Sequence, residues 1–306
     1  MRNLLSILDL SREELLGLID RTIEFKAGRS VRPLEGKSVA LVFQKPSTRT
    51  RVSFEVAVTQ LGGHPIYLGW GDLQLGRGET IADTARVLSR YVDVVVMRLF
   101  KHADLLEFSR HSTVPVINAL TDVEHPCQII ADLVTLKERF GRLEGLKISW
   151  VGDGNNVCNS LALACSLLGL HLTLAIPEGF EPNLLGRALE VAKRSGSKVE
   201  LLHEPEKAVR GADAIYTDVF VSMGQEAEAE RRRAIFYPKY QVNRALLSLA
   251  KPEAVVMHCQ PWRIGEEISE EVAYSERCVA FQQAENRLHS SKSILEFCLT
   301  PSRPSA

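Results

Sequence analysis

The feature that most constrains this chain is a rhythm that occurs twice. Short runs rich in Val, Ile and Leu alternate with longer segments of helical periodicity. The first series predicts strands at 38–43, 65–68, 93–97 and 115–118, and the second at 147–151, 171–176, 198–202, 212–217 and 254–257. Helical patterns intervene near 51–61, 80–91, 103–111, 127–140, 155–168, 182–194, 206–210 and 242–249. Apolar runs without in–out alternation are strands covered on both faces, and amphipathic helices between them supply the covers of βαβ units. The expected fold class is α/β: two doubly wound parallel-sheet domains with the active-site cleft between them. Ahead of the first strand, Ser11 and Glu14 form a capping box for a helix striped by Leu15, Leu16, Leu18, Ile19 and Ile23. The polar, Gly-containing turn at 140–145 is the expected break, giving domains 1–140 and 141–286, with a last helix at 287–299 packing back on the first.

Composition narrows the function classes. The 306 residues give room for two medium domains. Lys plus Arg number 37 against 38 Asp plus Glu, a net charge of −1 that offers no surplus for a run of phosphates, so no nucleic-acid partner is expected. No apolar run approaches the ~20 residues of a membrane span. The first residues lack a signal peptide's apolar stretch and small-residue cleavage site. Six cysteines without a Cys-x-x-Cys pair make no disulfide framework. A soluble, cytoplasmic protein of enzyme size is expected.

In parallel sheets, ligands gather beyond the carboxyl ends of the strands, and the unusual polar clusters fall there. The sharpest is Ser47-Thr48-Arg49-Thr50-Arg51, which opens a helix after the first strand. A helix start carries unpaired N–H groups and the positive end of the macrodipole. Three hydroxyls and two guanidinium groups in the same turn exceed what a cap requires and suit phosphate oxygens. Arg98 directly follows the third strand, and His125-Pro126-Cys127-Gln128 follows the fourth. Taken alone, that tetrapeptide is a turn with Pro126 at the first helical position. Gly152-x-Gly154 resembles part of a dinucleotide fingerprint, but Val157 occupies the third glycine position, and Asn155-Asn156 suggests amide recognition. Asp218 with Ser222-Met223-Gly224 presents a carboxylate and a hydroxyl suited to a cationic amine. Adjacent His258 and Cys259, without ligand pairs at metal spacing elsewhere, argue against a zinc site.

Taken together, Ser47–Arg51, Arg98, His125–Gln128, Asp218…Ser222-Met223-Gly224 and His258-Cys259…Pro261 resemble the carbamoyltransferase family, in family order and over nearly the whole chain. The Ser-Met-Gly loop, and Cys-Gln-Pro rather than Pro-Leu-Pro after His258, match its ornithine type rather than its aspartate type. The resemblance implies a carbamoyl-phosphate domain followed by an amino-acid domain, in a homotrimer or multiple of trimers with shared active sites. It implies that Ser47, Thr48, Arg49 and Thr50 hold the phosphate. Arg98, His125 and Gln128 would hold the carbamoyl group, with Pro126 and Cys127 in the same binding turn. Gln74, within the Gly-rich segment 69–78, would reach a neighbouring subunit's phosphate. Arg287 would make a further carbamoyl-phosphate contact, and Cys259 and Gln260 would approach the reacting centre. Asn156, Asp218, Ser222 and Met223 would contact ornithine. Arg98, His125, Gln128 and Cys259 form the catalytic set, with no metal and no cofactor.

The implied reaction moves the carbamoyl group of carbamoyl phosphate to the δ-amine of L-ornithine, giving L-citrulline and phosphate, a step of the arginine-biosynthesis or urea-cycle type. Gln260 departs from the family pattern, which has Leu there, so putrescine or another amine stands as the alternative acceptor. Ornithine is preferred because Asn156, Asp218 and Ser222 offer separate partners for a carboxylate and an α-ammonium. From other classes, the competing readings are a nicotinamide-dependent oxidoreductase using 152–156 and a non-catalytic binder of a small phosphorylated metabolite.

Overall fold

The structure, a computed structural model, describes residues 2–222 and 224–300. Its strands are β1 (Ser38–Phe43), β2 (His64–Gly69), β3 (Val94–Arg98), β4 (Val116–Leu120), β5 (Lys147–Val151), β6 (His171–Ala175), β7 (Val199–Leu202), β8 (Ala214–Thr217) and β9 (Val255–His258). Every expected strand is present, with ends displaced by two residues at most. They form two sheets, ordered β2-β1-β3-β4 and β7-β6-β5-β8-β9, and every pairing is parallel. The central strands β1, β3 and β5 are buried almost throughout, as β-branched runs without alternation require.

The chain divides into two compact units, one holding residues up to Val134 and from Glu285 onward, the other Thr135–Ala284. Both divisions fall inside helices, Pro126–Phe140 and Ala280–Leu299. In the first unit, Ala40, Val42, Val95, Met97 and Phe108 are among the core residues. The edge of β4 is covered by the N-terminal segment, where Leu4 N–H donates to Val116 O and Leu4 O accepts from Asn118 N–H. In the second unit the core gathers around Val151, Ile215, Phe220, Phe236 and Val256.

Three segments differ from expectation, each for a packing reason. The last helix begins at Ala280, a full two turns before 287. Its first turns look too polar to be buried, yet Gln283 accepts from the His258 N–H and Asn286 accepts from Lys26 Nζ. A helix at Ala229–Phe236 lacks an apolar stripe because its inward face carries Arg232 beside Phe236. The Gly-rich segment 69–78, to which the pattern gives no helix, is wound and anchored. It winds into two 3-10 turns, Trp70–Asp72 and Gln74–Arg77, with Trp70 and Leu73 packed against the first unit's core.

Gly154 shows how tightly the turn after β5 is seated. A Cβ there would lie 2.3 Å from the Phe180 carbonyl oxygen and 2.5 Å from Pro182 N, both backbone atoms that cannot swing aside. Gly154→Ala is expected to destabilise the protein by about 3 kcal/mol or more, the upper range for overpacking. Gly186→Ala, inside the Leu185–Ser195 helix with nothing within 4 Å of the added carbon, is expected to be neutral or stabilising. Urea unfolding of both variants checks the pair, and a Gly154→Ala protein as stable as its parent contradicts the packing.

Candidate active site

In the order β2-β1-β3-β4 the winding reverses between β1 and β3, and such switch points open a crevice beyond the strand ends. The segments leaving β1 and β3 are stitched together there. Gln44 N–H donates to Arg98 O (2.8 Å), and Gln44 Oε1 accepts from Phe100 N–H (2.8 Å). Ser47 caps the Thr48–Gln60 helix by accepting from Thr50 N–H at 3.3 Å. Thr48 is exposed, Ser47 and Arg49 are half-buried and Thr50 is buried. The two arginines of this run part company: Arg51 lies over the Tyr67 ring at 3.6 Å and pairs with Glu55 at 3.0 Å. Arg51 is thereby committed to the helix flank, while Arg49 is half-buried in the first turn of the helix.

Arg98 sits where the β3–β4 register shifts, between Met97 and Arg98, a local irregularity of the kind that re-aims a side chain. It is buried, as are His125, Gln128 and Arg287. The Arg287 guanidinium donates to Thr50 Oγ1 (3.2 Å) and to Gln128 Oε1. Gln128 Nε2 in turn donates to Asp132 Oδ1 at 2.8 Å. Its amide is thereby oriented, with the oxygen as acceptor on the arginine side. Burial first, then the charges of Arg287 and Arg98, hold His125 well below the usual histidine range, so the ring is neutral. Pro126 opens the Pro126–Phe140 helix, as its fixed φ and missing N–H favour. The Cys127 thiol donates to Asn118 O (3.2 Å), and burial pushes it up to about 12, so Cys127 offers a ligand its backbone rather than a thiolate. Gln74 lies exposed in its 3-10 turn. Lys45, not among the expected site residues, is buried at the end of β1 with its ammonium 4.1 Å from the centre of the Phe100 ring.

The second sheet reverses between β5 and β8, and the other polar cluster stands there. Asn155, rather than Asn156, caps the Asn156–Leu168 helix, accepting from Val157 N–H and Cys158 N–H at 3.0 Å each. The Asn155 amide also donates to Asp218 Oδ2 (2.7 Å), while Asp218 Oδ1 accepts from Val219 N–H (2.9 Å). Asn156 is half-buried beside it, and its Oδ1 accepts from Val157 N–H. Ser222 N–H is tied to Gln225 Oε1 at 3.0 Å. Met223 lies outside the described residues. A dinucleotide reading of Gly152-x-Gly154 loses its basis, because Gly154 is needed against Phe180 and Pro182 and Asn155 occupies the helix start.

Beyond β9, fully buried His258 accepts at Nδ1 from Gln260 N–H (2.8 Å), which places the ring proton on Nε2, facing Glu267 Oε1 at 3.1 Å. Glu267 also accepts from Arg263 N–H. Gln260 itself is held at φ 57. Donor atoms of Asp218, His258 and Cys259 lie within 4.8 Å of one another. The sequence spacing gave no sign of this cluster. Both His258 nitrogens are committed to hydrogen bonds, so the arrangement reads as a polar network rather than a metal centre.

Two family models match the chain. The aspartate/ornithine carbamoyltransferase carbamoyl-P binding domain covers residues 2–138, and the Asp/Orn binding domain of the same family covers residues 144–298. The chain is 52% identical to ornithine carbamoyltransferase of Thermococcus kodakarensis, over 96% of this chain and 95% of the relative. It is also 52% identical to the anabolic ornithine carbamoyltransferase of Pyrococcus furiosus, over the same shares. Its fold is similar to the solved Pyrococcus furiosus ornithine carbamoyltransferase, with a TM-score of 0.92 over 96% of each chain. The anabolic enzyme of Campylobacter jejuni, 38% identical, also gives 0.92 over 97% of this chain and 99% of that one.

The charge arrangement makes His125 a sharp test. Its ring is expected to stay neutral from pH 8 down through pH 6, followed by NMR of selectively labelled histidine. Arg287→Gln removes one of the two cations that hold the pKa down, so the midpoint is expected to rise toward, but not reach, 6.5. The linkage has a definite sign: the unfolded chain takes this proton near 6.5 and the folded one does not. His125 therefore contributes stability above that pH and loses it as pH falls. A midpoint near 6.5 in the parent protein contradicts this environment.

Proposed function

The chain belongs to the aspartate/ornithine carbamoyltransferase family, and from that premise we propose how its two polar clusters divide the work. The protein transfers the carbamoyl group of carbamoyl phosphate to the δ-amine of L-ornithine, giving L-citrulline and phosphate. The observation that carries this reading is the buried cluster of Arg98, His125, Gln128 and Arg287 beside a helix start at the β1/β3 switch point. Two guanidinium groups with little access to water suit a phosphate dianion, which offers several acceptors in a compact space.

Ser47, Thr48, Arg49 and Thr50 hold the phosphate from the helix start, joined by Arg287, which donates to Thr50 Oγ1. Arg98 and neutral His125 donate to the carbonyl oxygen, where negative charge grows as the amine attacks. A neutral imidazole donates there without adding a third positive charge to a buried site. Gln128, oriented by Asp132, accepts from the carbamoyl amide through Oε1. Asp218 and Ser222 bind the α-ammonium of ornithine, and Asn156 donates to its carboxylate. Cys259 and the backbone of Gln260 flank the reacting amine. The neutral δ-amine forms the new C–N bond, the carbon–oxygen bond to phosphate breaks, and the departing phosphate takes the proton that the amine sheds.

Two further parts of the reading rest on the family and on exposure. The chain assembles as a homotrimer or a multiple of trimers, and exposed Gln74 completes the phosphate site of a neighbour. It works in the cytoplasm in the anabolic direction that the name of the Pyrococcus furiosus relative carries. Among the described residues, no helix is long and apolar enough to cross a membrane.

Citrulline formation from carbamoyl phosphate and ornithine is the direct test, with putrescine as competing acceptor. Arg49→Ala and Arg98→Ala are each expected to lower turnover about a hundredfold or more, the scale of losing one preorganised donor. Faster carbamoylation of putrescine would reassign the acceptor, and near-normal turnover in both variants would sink the site.

Shared sites have a consequence of their own. Arg49→Ala and Gln74→Ala, each nearly inactive as pure oligomers, are expected to regain part of the parent activity when refolded together. Some hybrid sites then pair an intact Arg49 with a neighbour's intact Gln74. Hybrids that form and remain inactive would confine Gln74 to its own chain.

A further inference from the structure

The helix Ala229–Phe236 carries three consecutive arginines, and Arg232 among them is buried. Its Nη2 lies 2.6 Å from Asp153 Oδ2, and its Nε donates to the Phe220 carbonyl at 2.6 Å. The guanidinium is held over the Phe180 ring at 4.9 Å and the Phe236 ring at 5.5 Å. Phe236 stacks on Phe220 and meets Phe180 edge-on, with 5.0 Å between centroids in each case. One side chain therefore reaches two segments at once. Asp153 belongs to the turn after β5 that continues into Asn155 and Asn156. Phe220 lies midway between Asp218 and Ser222.

We propose that Arg232 and Asp153 are positioning residues for the ornithine half of the reaction, locking the 152–156 turn to the 218–222 loop at a fixed separation. Neither residue touches substrate; they act through Asn156, Asp218 and Ser222, so the inference rests on the ornithine reading above. Three observations carry it. The guanidinium is held at both ends, by a directional hydrogen bond to the Phe220 carbonyl and by a buried ion pair with the Asp153 carboxylate, which apolar packing alone would not enforce. The Asn155–Asp218 hydrogen bond spans the same two segments and depends on their separation. The turn has no slack of its own, since Asp153 O accepts from Trp150 Nε1 and Gly154 is wedged against Phe180. Burial pushes the Asp153 carboxyl up to about 6 even with Arg232 pulling it down, a measure of how dry the pair is. A charge so placed has no solvent to turn to once its partner is lost.

Arg232→Lys keeps the charge but lacks the separate nitrogens with which the guanidinium meets the Phe220 carbonyl and the Asp153 carboxylate. Asp153→Asn keeps the shape and removes the carboxylate charge. In each variant the KM for ornithine is expected to rise about tenfold or more, while the KM for carbamoyl phosphate changes less than twofold. The double variant is expected to be no worse than the more affected single one, because both lose the same lock. Circular dichroism establishes folding first; if Arg232→Lys fails to fold, Asp153→Asn decides by the same kinetics. An unchanged ornithine KM in a folded variant, equal losses for both substrates, or additive losses in the double variant overturns the proposal. A parent protein that forms no citrulline overturns the ornithine reading instead, so the two failures are distinct.

Discussion

A parallel strand covered on both faces can display polar side chains only beyond its ends, and nearly everything functional in this chain follows from that constraint. The amino ends receive crossover helices, so the carboxyl ends are where loops have freedom. In the first sheet neighbouring connections run in opposite directions from β1 and β3; in the second they do so from β5 and β8. The Ser47–Thr50 helix start and Arg98 leave the first pair, and Asn155-Asn156 and Asp218 leave the second. Two sheets of different size thus place their chemistry by one rule.

The two clusters differ in how they handle charge. Around His125 the protein gathers guanidinium groups in a dry place and leaves the ring neutral, which suits an incoming dianion. Around Asp218 it does the reverse: each carboxylate oxygen accepts a hydrogen bond from an amide, Asn155 at one and a backbone N–H at the other. A carboxylate held this way is aimed rather than neutralised, and it retains its attraction for an ammonium. Carbamoyl transfer needs both: an electrophile whose leaving group is stabilised by positive charge, and a nucleophile held by groups other than its attacking amine.

Much of this was legible in the sequence because buried parallel strands have a composition few other structures share. Polar clusters at predicted strand ends stood out for the same reason, since nothing in packing demands them. What stayed hidden were distinctions made only by three-dimensional neighbours. Arg49 and Arg51 are equivalent as text, yet Tyr67 and Glu55 take Arg51 away. Asn155 and Asn156 are likewise adjacent amides, and only the cap geometry shows that Asn155 supports the helix and Asp218. Arg232 hides in a helix with no apolar stripe, because a buried ion pair looks like a solvated surface when read in one dimension. Gln283 and Asn286 disguised the start of the last helix in the same way.

Gln260 joins these themes. A non-glycine residue at φ 57 costs on the order of 1–3 kcal/mol and persists only where its surroundings over-determine it. Here the Gln260 N–H is tied to His258 Nδ1, and His258 is fixed by fully buried Glu267. Glu267 is in turn held by the Arg263 N–H from the same short loop. The conformation is therefore set by neighbours on the buried side and not by the side chain at 260. Exchanging the family's Leu for Gln changes what that side chain offers without releasing the backbone that carries it. The backbone carbonyl and the adjacent Cys259 stay where the His258 network puts them. The side chain at position 260 can then vary while the backbone geometry of the loop is kept, a separation that a loop held only by its own side chains could not provide.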